Sequence, residues 1–224
     1  MCIKALPNSV TTLIIFALTC LPSALLYAGD STTQAVDNTA DFAQTYQRAM
    51  NGDVEAQFEI FKSYRRQANI GNNLDKAKRW LLSAAEGGHA EAQYWLGYIY
   101  FFGKGVERDV ETGVSWYKKS ATQRFVHAQV SLGQIYNGWR YRFYPSDPLQ
   151  AAVWYTRAAE QGHLQSILIV GCSHYFGIQQ FIDAQEGLIW FQKAAELGDD
   201  TAMTYLKTNS EEDLSLLCHR ITRL

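Results

Sequence analysis

Ser115-Trp116-Tyr117-Lys118 spells Ser-x-x-Lys, the spacing at which a lysine one helical turn on can activate a serine nucleophile for acyl transfer on cell-wall or β-lactam substrates. That chemistry also needs a Ser-Asp-Asn or Lys-Thr-Gly partner, and the chain offers no convincing one. Ser115 therefore stands as the alternative, enzymatic reading, and no catalytic residue is expected. The five histidines, at 89, 127, 163, 174 and 219, show no ligand spacing with a cysteine or carboxylate close by, so no metal or other cofactor is expected. Cys172 and Cys218 lie 46 residues apart. Where each unit of a stack touches mainly its neighbours, that separation counts against a bridge.

The elements that carry these residues are set by a repeat. Tryptophan recurs at 80, 116, 154 and 190, and each one opens a near-copy of one apolar pattern. In the first full copy the pattern reads Ala77, Trp80, Leu81, Ala84, Ala85, Gly88, Ala92, Leu96, Gly97, Tyr100, Gly103, Gly105 and Val106. Its apolar positions follow the i, i+3, i+4 rule of a helical face on both sides of Gly88, which predicts a helix, a glycine-marked turn and a second helix. A worn copy precedes it at Ala49, Gly52, Ala56, Gln57, Ile60 and Tyr64. A repeat of this length marks stacked helix pairs, none of which buries enough surface to fold alone.

The run Trp-Tyr-x-x-Ala-Ala-x-x-Gly, followed by Leu-Gly-x-x-Tyr-x-x-Gly-x-Gly-Val, resembles the Sel-one-like repeat, a relative of the tetratricopeptide repeat. The resemblance covers roughly 41–208, although the Gly-x-Gly-Val ending is intact only at Gly103 to Val106. It implies an all-α, right-handed α/α superhelical solenoid of about five antiparallel helix pairs. It also implies a scaffold for protein contacts, and some exported proteins of this kind act as immunity proteins against secreted toxins.

In related superhelices the outward face of each first helix lines the concave groove. Here that face carries Arg79, Leu82, Ser83 and Glu86, then Ser115, Lys118, Lys119 and Thr122, then Val153, Thr156, Arg157 and Glu160, then Ile189, Gln192, Lys193 and Glu196. Val153 and Ile189 stack one repeat apart where water is expected, which makes them, with Arg157 and Lys193, candidate partner-binding residues. A second candidate is the inserted loop Trp139-Arg140-Tyr141-Arg142-Phe143-Tyr144, rich in the residue types that dominate binding hot spots. Tyr94, Tyr98 and Phe101 form a helical stripe whose simpler account is packing against the next repeat.

A formal net charge of −2 leaves no electrostatic footprint for nucleic acid. Lys4, the apolar stretch Val10 to Leu26 and Leu26-Tyr27-Ala28 read as a signal peptide over 1–28, with an uncleaved anchor as the alternative. Residues 29–40 read as a flexible tether, 41–208 as the repeats and 209–224 as a C-terminal capping helix started by Ser210. No later segment is long and apolar enough to span a bilayer. The expectation is a monomer, periplasmic or secreted after cleavage of the leader, that binds another protein or peptide.

Overall fold

A computed structural model describes residues 31–66, 73–138, 141–176 and 183–222. The signal peptide expected over 1–28 lies outside them. Eleven helices run through the described residues, without a strand: α1 (Ser31–Met50), α2 (Val54–Arg66), α3 (Asn73–Glu86), α4 (Ala90–Phe102), α5 (Val110–Thr122), α6 (Val126–Asn137), α7 (Pro148–Glu160), α8 (Leu164–Phe176), α9 (Ala184–Glu196), α10 (Asp200–Thr208) and α11 (Glu211–Thr222). The chain divides into a unit ending at Gln44 and a unit spanning 45–224. Within the second, each helix from α2 to α10 packs on the next, and α11 packs on α10 and α8. This is the helical solenoid that the repeat predicts.

One expectation fails at the N-terminus. Residues 31–40 belong to α1 and not to a tether. The stretch is polar but holds neither glycine nor proline, so a helix once formed over 41–50 can propagate back through it at little cost.

Small residues let the repeats close on one another. A Cβ on Gly97 would stand 2.9 Å from the Tyr117 ring, one on Gly133 2.7 Å from Tyr155, and one on Gly171 2.7 Å from Phe191. Each Leu-Gly or Val-Gly step therefore seats the aromatic residue of the following repeat, and those three rings are buried. The paired alanines, Ala84-Ala85 and Ala158-Ala159, are buried as well, as expected for close backbone approach. Gly88, Gly162 and Gly198 end the first helices with φ of +97°, +85° and +88°. Arg124 holds the equivalent left-handed position in the second copy, with φ 66°.

Buried glutamines bind successive units in a way the apolar pattern did not announce. The amides of Gln57, Gln93 and Gln129 donate to the carbonyls of Ala49, Ala85 and Ala121 at 3.2, 3.0 and 3.1 Å. Each gives a second donor to a carbonyl in the last turn of the preceding helix, which also accepts from the backbone N–H of Gly52, Gly88 or Arg124. The amide oxygens of Gln93 and Gln129 accept in turn from Gln123 and Gln161, one repeat on, at 2.8 and 2.7 Å. Gln57 Oε1 is buried without a partner because Gly87 occupies the matching place, where any Cβ would collide with Val54.

The C-terminal helix forms as expected, with Ser210 Oγ accepting from the Asp213 N–H at 3.4 Å and Leu214 and Leu217 buried. The cysteines depart from expectation. Cys172 on α8 and Cys218 on α11 are disulfide-bonded, with their Cα atoms 5.7 Å apart. Sequence distance misleads here because α10 is only nine residues long and α11 folds back past it onto α8.

Candidate partner-binding face

The first helices of the repeats are started by one recurring device. Asp109, Asp147 and Asp183 cap α5, α7 and α9, their carboxylates accepting from the N–H groups of Thr112, of Leu149 and Gln150, and of Gln185 and Glu186. The backbone N–H of each aspartate donates to a carbonyl of the preceding second helix: Tyr100, Tyr136 and His174, at 3.0, 2.8 and 3.0 Å. The starts of α5, α7 and α9 are thereby pinned, and their outward faces are held in register from copy to copy.

On that face Val153 is 43% exposed and Ile189 56% exposed, as the sequence expects. Arg157 and Lys193 are more engaged than a free column of charge. The Lys119 ammonium lies 3.9 Å from the Trp116 ring centre, the Arg157 guanidinium 4.7 Å from Trp154 and the Lys193 ammonium 5.0 Å from Trp190. Lys193 Nζ also donates to the Ala159 carbonyl at 3.3 Å. One cation thus covers the tryptophan in each of these three copies, an attraction of about 0.5–1 kcal/mol at an exposed site. Among the described residues none of these three cations, nor Lys118, is ion-paired with a carboxylate.

The inserted loop is divided. Trp139 and Arg140 lie outside the described residues. Tyr141 turns back onto α4, its ring 5.1 Å from Phe101 and 5.9 Å from Phe102, and Tyr144 packs 5.8 Å from Tyr136. Burial, with Tyr136 next to it, pushes the Tyr144 hydroxyl up to about 12. These two half-buried rings pack back onto the fold, because apolar area beside an open helix end is more stable covered than wet. Arg142 points to solvent, and Phe143, under the Arg108 guanidinium at 3.9 Å, stays 51% exposed.

Tyr94 and Phe101 pack against the Tyr117 ring of the next copy at 5.6 and 6.0 Å, so the aromatic stripe serves the interface between repeats. With Tyr141 it borders a cavity of about 480 Å³ on the second-helix side.

Ser115 is exposed on α5 with no hydrogen bond among the described residues, and the Lys118 ammonium sits 5.7 Å from the Tyr136 ring centre. Among the described residues no hydrogen bond joins the two side chains. His89 and His163 cap second helices, accepting through Nδ1 from the N–H groups of Ala92 and Ser166 at 3.1 and 3.2 Å. Their place in each repeat was legible in the sequence, but the capping role was not. Among the described residues no cluster of His, Cys, Asp and Glu is arranged to hold a metal ion, and no helix is long and apolar enough to cross a membrane.

Comparison with known proteins gives the same unit. The chain is 28% identical to a Sel1 repeat protein from Oxalobacter formigenes, with a TM-score of 0.66 over 75% of this chain and 48% of that one. It is 31% identical to the protective antigen c5321 of uropathogenic Escherichia coli, which displays the SLR fold, with a TM-score of 0.62 over 74% of this chain and 35% of the antigen. Among curated proteins it is 32% identical to the chitin synthase regulator SKT5 of Malassezia restricta, over 58% of this chain and 9% of the regulator. The chain spans less than a fifth of the length of the chitin synthase regulators it matches. The model of the Sel1 repeat matches residues 54–89, 90–125, 126–163 and 165–199, well over half the chain, which therefore belongs to the Sel1 repeat family.

Proposed function

We propose that this protein is a non-catalytic interaction module that acts as a monomer outside the cytoplasm and holds a partner protein or peptide along the outward face of α3, α5, α7 and α9. The observation that carries the reading is the pair Val153 and Ile189, half exposed at equivalent positions of successive repeats on helices whose ends are pinned. A folded chain has little reason to repeat wet β-branched residues in register unless something covers them. Membership of a scaffold-forming repeat family and curated relatives named as regulators of another protein support the same class. The Cys172–Cys218 bridge suits an oxidising compartment, in agreement with the leader read over 1–28. An immunity protein against a secreted toxin is the narrower form of this reading, differing from an envelope scaffold in the partner it holds.

Replacing Val153 and Ile189 together by Asp places two charges where a partner would have to desolvate them. The loss should be about 2 kcal/mol or more per site, with an unchanged melting temperature, since neither side chain is in the core. Pull-downs from an extracytoplasmic extract should lose the proteins that wild type retains. Undiminished recovery of all of them would remove this face from the account.

A further inference from the structure

A cavity of about 250 Å³ opens between α7 and α8, on the rim of the face just described. It is bordered by Leu149, Val153 and Thr156 from α7 and by Ile169, Ser173 and His174 from α8. The repeat explains why it exists in this copy. The backbone bonds from Asp109, Asp147 and Asp183 put His174 at the position of Tyr100 and Tyr136. In the preceding copy the Tyr136 ring fills that place, with the Lys118 ammonium 5.7 Å from its centre. Here Thr156 stands where the copy before has Lys118, and His174 where it has Tyr136. Two large side chains are each replaced by a smaller one, and the space they would fill is left lined mainly by apolar atoms. His174 Nδ1 is buried beside it without a hydrogen-bond partner.

We propose that this cavity is an anchor pocket for a single leucine or phenylalanine side chain carried on an acidic, extended segment of the partner protein. The proposal rests on the docking face proposed above and names the chemistry of what it holds. Size argues for one side chain, because pockets for cofactors and drug-sized ligands begin at roughly 300 Å³. Charge argues for acids beside it. The outward positions of the four first helices carry five cations, Arg79, Lys118, Lys119, Arg157 and Lys193, against three carboxylates, on a chain whose net charge is −2. None of the five is ion-paired among the described residues. Arg157 follows Thr156 directly, so a carboxylate next to the anchored side chain meets an unneutralised guanidinium.

The test uses the full chain and fluorescein-labelled nonapeptides with a central Leu, Phe, Ala or Lys between flanking Asp or flanking Lys residues, read by anisotropy. Wild type should bind the Leu- and Phe-centred acidic peptides about tenfold or more tighter than the Ala-centred acidic peptide or any Lys-flanked one. His174→Tyr restores the residue that two other copies accept, and Thr156→Leu restores Leu82 of the first full copy. Each should keep or raise the melting temperature and weaken the Leu-centred peptide about tenfold. Equal affinity of wild type for Ala- and Leu-centred peptides would overturn the proposal without recourse to a variant. So would retained binding in both filled variants, or a dimer of wild type that either variant abolishes, which would assign the pocket to a second copy. Binding lost with Ile189→Asp but kept in both filled variants would leave the docking face standing and end the anchor pocket alone.

Discussion

Arg124 adopts the left-handed conformation that its counterparts leave to glycine, which costs an L-residue with a Cβ about 1–2 kcal/mol. Arg124→Gly should therefore raise stability by about 1 kcal/mol, measured by urea denaturation, with the slope of the transition unchanged. His163 gives a second test at this scale. Burial, and then the nearby His127, hold its imidazole below the usual 6.5, so the fold favours the neutral ring that caps α8. The stability supplied by the neutral ring is complete above about 6.5 and drains away as pH falls through the lower folded value. Asn also caps well but does not titrate. His163→Asn should lose less in melting temperature than wild type between about pH 7.5 and pH 5. Residues of this kind were half legible in the sequence. The missing glycine at 124 and the histidines at 89 and 163 show directly against the repeat, but the strain and the capping bonds need backbone angles and distances. Gln57, Gln93 and Gln129 show the same limit, since their spacing is visible while the carbonyls they reach lie on another helix.

The elements were legible wherever a helix keeps one apolar face, which is why α3 to α10 fall where the tryptophan period puts them. Two places differ because the deciding physics is not local. Residues 31–40 have the polar composition of a tether but no residue that stops a helix, and α1 runs through them. Cys172 and Cys218 look unpairable along the chain until α11 folds back onto α8 and buries Leu214 and Leu217. The bridge closes a long loop and so restricts the unfolded chain, a contribution of about 4 kcal/mol in the chain-entropy treatment. Replacing both cysteines by Ser should lower unfolding stability by about 2–4 kcal/mol and release α11 first, read as faster amide exchange over 211–222 than over α5 to α7. Uniform exchange with unchanged stability would show that the bridge adds nothing to the cap.

At the scale of the repeats the molecule spends Trp116, Trp154 and Trp190 on cohesion and, in the function proposed above, its β-branched surface on contact. Trp116, Trp154 and Trp190 lie beneath cations of their own helices, while Val153 and Ile189 remain outside that cover. The candidate site was legible here as a column of positions but not as a pocket. A hydropathy pattern cannot show that a threonine and a histidine on two helices leave one space between them. The inserted loop was half legible for the same reason, because hot-spot composition cannot tell that Tyr141 and Tyr144 turn inward. The central claim is that one face, shared by successive first helices, receives the partner. Site-specific photo-crosslinking tests it most directly, with the reactive group placed in turn at Val153, at Ile189 and, as a control on a second helix, at exposed His127. The account predicts the same adduct from 153 and 189 and none from 127. Adducts from 127 with none from 153 or 189, or unrelated adducts from the two groove positions, would contradict it.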